Sequence, residues 1–135
     1  MKSGILKKLL LIILPAAAVI LTAMPCSVVL RFMADPAVGG YHEVCVSGFD
    51  PLAWGYAVWG PMMAGCGSVL LVILGIVGAI RGSEGLRGWM LGIALFALVM
   101  SLSAILFGGM TVICGVISAL LAAESALLFL AGKRR

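Results

Sequence analysis

The stretch PMMAGCGSVLLVILGIVGAI, residues 61–80, carries no charged side chain and is followed at once by Arg81. At 1.5 Å per residue it makes a helix of about 30 Å, the thickness of the hydrocarbon layer of a bilayer. The same apolar run reaches back to Leu52, and a helix over all of it would be about 43 Å long, too long for one crossing. Residues 31–60 are therefore expected to be an outer loop plus an interfacial segment. Trp54, Tyr56 and Trp59 act there as headgroup anchors, and the span starts near Pro61, where proline suits a first helical turn.

Working outward, Arg81 to Arg87 is a short basic connection, and a second apolar run covers about 88–107 with Trp89 as a fourth interfacial anchor at its inner boundary. Gly108-Gly109 predicts a tight turn into a further span over about 110–130. Toward the N-terminus, residues 9–30 form another apolar run interrupted by Pro15. Lys2, Lys7 and Lys8 followed by Leu9 to Leu14 look like a secretory signal, but the run continues past the length of a signal core, so an uncleaved helix is expected. The expected fold is all-α, a single bundle of four transmembrane helices.

Composition agrees. With 64% hydrophobic and 10% charged residues in 135, the chain lacks the roughly 25% charged fraction that covers an ordinary soluble domain. Of the nine Lys and Arg residues, Lys2, Lys7, Lys8, Arg81, Arg87, Lys133, Arg134 and Arg135 fall on one side of this arrangement and Arg31 alone on the other. The positive-inside tendency then puts both termini in the cytoplasm. The net charge of +4 is expected to meet anionic lipid rather than nucleic acid, since the basic residues adjoin apolar spans.

Small residues recur at helical spacing. Ala94, Ala97, Ser101, Ala104 and Gly108 form one stripe, Gly115, Ala119, Ala122 and Ala126 another, and Gly60, Ala64 and Gly67 a third patch. Helices in lipid gain little by burying apolar surface against one another, so close backbone approach must hold them together. The two long stripes are expected to pack against each other as an antiparallel pair.

Glu124 is the one acid within a span. An unpaired ionised carboxylate there costs several kcal/mol, so it must be neutral, paired or reached by water. Pro15 leaves the Leu11 carbonyl without its usual helical donor, and a protonated Glu124 at similar depth would be able to donate to it. The other role for an intramembrane acid is to bind a proton or cation during transport. Cys26 and Cys45 lie on the oxidising side and either form a disulfide or remain thiols. Cys66 and Cys114 read as small apolar fillers. His42, Glu43, Asp35, Asp50 and Cys45 lack paired histidines or a zinc-type spacing, so no metal site is expected. Arg31 either reaches the headgroups or pairs with Asp35. No phosphate loop, nucleophile elbow or protease signature occurs, so enzymatic activity has little direct support in the sequence, and no cofactor is expected.

Tyr41-His42-Glu43, then Phe49-Asp50-Pro51-Leu52-Ala53-Trp54-Gly55-Tyr56-Ala57, with the earlier Met24-Pro25-Cys26, resemble an uncharacterised family of small bacterial four-helix membrane proteins. The resemblance implies a multi-pass protein of the bacterial inner membrane and transfers no activity. Small multidrug exporters are similar in size but place their glutamate in the first helix. Claudin-like proteins share a long first outer loop, but theirs is longer and carries a Trp…Cys…Cys arrangement that is lacking here. The leading functional expectation is a membrane subunit that assembles with itself or with another membrane protein. The alternatives are an oligomeric transporter or channel using Glu124 and, more remotely, a membrane thiol oxidoreductase.

Overall fold

A computed structural model describes residues 2–33, 37, 39–51, 59–82, 85–106 and 111–133. Four helices dominate it: α1 (Lys2–Ala23), α2 (Gly60–Arg81), α3 (Gly85–Leu106) and α4 (Val112–Lys133). Between α1 and α2 lies an antiparallel hairpin of β1 (Val28–Met33) and β2 (Tyr41–Val46). Each helix is long and apolar enough to cross a membrane, and the fold is an all-α four-helix bundle with a small β cap.

The helices form a closed ring in chain order, each packed on the next, with α4 returning to α1. Lys8 on α1 donates to the Ala79 carbonyl of α2, and Arg87 on α3 donates to the Ala131 carbonyl of α4. The start of α1 and the end of α4 therefore lie at one end of the ring, its terminal end. The hairpin sits at the other, where the Thr111 hydroxyl before α4 donates to the Ser27 carbonyl at 2.8 Å.

Local chemistry sets the boundaries. The apolar run that began at Leu9 does not stay helical to Leu30: α1 stops at Ala23. Met24 precedes Pro25, and the residue before a proline is pushed out of the helical region. Cys26 then adopts a left-handed φ of 63°, and β-branched Val28 and Val29 continue as strand. Residues at the end of the expected first span thus belong to the cap. Pro61 lies in the first turn of α2, and Gly82, at φ 64°, closes its other end by donating to the Gly78 carbonyl at 2.9 Å. Thr111 caps α4 by accepting from the Cys114 amide at 3.2 Å.

The core is aliphatic and fine-grained: Ala18, Leu71, Ala94, Ala97, Leu121 and Leu128 are buried together. Small residues thin the α2–α3 contact. A side chain on Gly60 would strike the Met100 carbonyl and the Ser103 hydroxyl, and Gly67 backs onto Ala97. The α4 stripe behaves otherwise. Ala119, Ala122 and Ala126 face outward, while Cys114, Ile117, Ser118, Leu121, Glu124, Ser125 and Leu128 turn inward. The expected pairing of two small-residue stripes is therefore half right. Ala94, Ala97 and Ser101 of α3 are buried, Ala97 against Gly67 of α2 and Ser101 on Ser118 of α4, but α4 turns larger side chains inward, which fill the centre of the ring.

Candidate functional site

Buried polar groups inside the ring fall into three layers. At the hairpin end the Thr22 carbonyl, one of the last in α1, accepts from the Gly48 amide at 2.9 Å, the Ser27 hydroxyl at 2.9 Å and the Ser47 hydroxyl at 3.1 Å. A helix end that enters a packed region needs such donors. The Cys26–Cys45 disulfide ties the same corner to β2, and Val28, Leu30 and Val46 form a small apolar cluster on one face of the hairpin. Arg31 pairs with Glu43 across the strands at 2.9 Å, which gives it a partner other than Asp35, a residue outside the described set. His42 is exposed on the same strand, and among the described residues no group of three or more His, Cys, Asp or Glu side chains converges.

One layer deeper, the Ser101 hydroxyl of α3 meets that of Ser118 on α4 at 2.7 Å, and Ser118 also donates to the Cys114 carbonyl at 3.0 Å. Ser68 and Ser125 bond carbonyls one turn back in their own helices. These hydroxyls are all provided for. The expected turn at Gly108-Gly109 lies outside the described residues, but Ser101 and Ser118 are about equally far from it in sequence, a signal that could have pointed to their pairing.

Glu124 is different. It is 0% exposed, between Leu121 and Leu128 on the inner face of α4, roughly 13 Å along the helix from Lys133. Neither Oε1 nor Oε2 has a hydrogen-bond partner among the described residues. Pro15 is also fully buried, on the neighbouring α1, but the carbonyl it frees does not serve Glu124. The Leu11 oxygen lies instead against α2, 3.1 Å from where a Cβ on Gly75 would stand. Sequence reasoning missed this because the direction of a lone carbonyl depends on which neighbouring helix can approach it, and a glycine approaches closest.

A cleft of about 160 Å³ opens at the terminal end of the ring and draws on all four helices. Lys8 and Arg87 line it together with Leu11, Gly75, Met90 and Leu128, the last of these one turn from Glu124. Glu124 itself is not among the residues that line the cleft. Of the four aromatic anchors expected, Trp59 immediately precedes α2 and is 54% exposed, and Trp89 near the start of α3 is 75% exposed. Trp54 and Tyr56 lie outside the described residues.

No protein-family model, curated protein or solved structure matches this chain.

Proposed function

We propose that this protein is a multi-pass transport element of the cytoplasmic membrane, working as an oligomer, in which Glu124 is the site that takes up and releases a proton or small cation. The observation that carries the reading is the wholly buried carboxylate with no donor to either oxygen. A purely structural carboxylate would be expected to hold a hydrogen bond within its own helix or to a neighbour, as the buried serines do. An orphaned one carries a desolvation cost that a proton or cation relieves, and cyclic relief of that cost is what an ion-coupled carrier uses.

Two features support the rest. The cleft beside Leu11 and Gly75 reaches Leu128, one turn of α4 from the carboxylate. The outward stripe of Ala119, Ala122 and Ala126 on α4 offers close backbone approach to a second copy, which is how helices associate in lipid. Both termini then lie in the cytoplasm, following the basic residues at that end. The exposed Cys26–Cys45 disulfide serves this reading as a fastener of the cap rather than as a reactive pair.

The test is covalent capture. A hydrophobic carbodiimide added to membranes should form an adduct on Glu124, located by mass spectrometry, and rising concentrations of the carried ion (H+, Na+ or K+) should alter its rate. Glu124→Gln should give no adduct at that position. Absence of an adduct on the wild-type chain, or a rate indifferent to all three ions, would contradict the proposal.

A further inference from the structure

At the terminal end, on the outside of the ring, α3 and α4 leave an open groove of about 540 Å³. Its walls are apolar, with Leu91 and Phe129 on the sides and Gly88 and Gly132 where side chains would otherwise fill it. A Cβ added at either glycine meets nothing within 4 Å. The groove is empty volume created by two missing side chains, facing outward where lipid tails run.

Two cations, Arg87 and Lys133, line the same groove. The Arg87 guanidinium is oriented by its bond from Nη1 to the Ala131 carbonyl at 3.1 Å. A guanidinium carries five N–H donors in a planar fork, so donors remain for an oxyanion. Lys133 is exposed at the end of α4 and supplies a mobile point charge.

We propose that this groove is a binding site for one anionic phospholipid, with the headgroup phosphate between Arg87 and Lys133 and an acyl chain along Gly88, Leu91, Phe129 and Gly132. Charge complementarity selects an anion. The apolar walls, open to the outside of the bundle, select a lipid over a free ion. Basic pockets between transmembrane helices on the cytoplasmic side commonly take such headgroups. The site opens on the outer surface of the ring, shares Arg87 and Leu128 with the inner cleft, and does not include Glu124.

The experiment uses the full chain reconstituted in an equal mixture of phosphatidylcholine and phosphatidylglycerol, extracted gently and weighed with its retained lipids by native mass spectrometry. Wild-type protein should keep phosphatidylglycerol in preference to phosphatidylcholine, and Lys133→Gln should reduce that preference about fivefold, the weight of one basic side chain near an anionic surface. Arg87→Gln should do the same, and if it fails to fold, Lys133→Gln carries the test alone. Gly132→Leu is the discriminating variant, because it fills the groove without touching charge and should abolish the preference. Wild-type retention in Gly132→Leu would mean that surface charge alone attracts the lipid, and would overturn the proposal. So would displacement of the lipid by millimolar inorganic phosphate in detergent. Glu124→Gln should retain the lipid as wild type does, which separates this site from the transport reading.

Discussion

Gly67 of α2 and Ala97 of α3 touch backbone to side chain, so closely that a Cβ placed on Gly67 would stand 2.9 Å from that of Ala97. Because lipid is as apolar as a core, contacts of this kind and not hydrophobic burial hold the second and third helices together. Gly60 makes the same kind of approach to the Met100 backbone one end higher.

Gly67→Val should therefore destabilise the bundle by about 1–3 kcal/mol, the usual range for overpacking. Gly92→Ala on the outer face of α3, where an added Cβ meets nothing, should be neutral or stabilising by up to about 1 kcal/mol through helix propensity. Reversible unfolding in mixed micelles would measure both. Equal losses at the two positions would count against the packing described.

The hydroxyl pair Ser101 and Ser118, 2.7 Å apart, should show coupling. Each single alanine substitution is expected to cost about 1 kcal/mol, and the double variant less than the sum. A double-mutant cycle giving a coupling near the roughly 0.6 kcal/mol average for membrane helices would agree, whereas strict additivity would not.

The Cys26–Cys45 bond closes a loop with a sequence separation of 19, for which loop closure alone is worth about 3 kcal/mol. Replacing both cysteines with serine should raise amide exchange across Val28–Val46 and leave exchange in α3 unchanged. Without reductant, thiol labelling of the wild-type chain should leave Cys26 and Cys45 unmodified.

What could be read beforehand follows from what lipid demands. Backbone polar groups in hydrocarbon must be satisfied internally, as a long apolar helix does within itself, so the four helices stood out from hydropathy and from Arg81, Arg87 and the terminal lysines. The hairpin did not, because Val28 to Leu30 extend the first apolar run and hydropathy is blind to the difference between helix and strand. Met24-Pro25 was the local signal. The direction of the α4 stripe was equally hidden, since both faces of that helix are apolar and small-residue spacing identifies a face without saying what it meets. Glu124 draws attention as a lone acid in a span. That it lacks a partner is a tertiary fact, set by the Leu11 carbonyl turning to Gly75.

The most direct measurement is ion flux through the purified protein. Vesicles containing the wild-type chain and a trapped indicator, challenged with an imposed gradient of H+, Na+ or K+, should dissipate one of these gradients faster than protein-free vesicles. Glu124→Gln, reconstituted at equal density and equally stable, should fall to the protein-free rate. Wild-type flux at the background rate for all three ions, or undiminished flux in Glu124→Gln, would contradict the role assigned to the buried carboxylate.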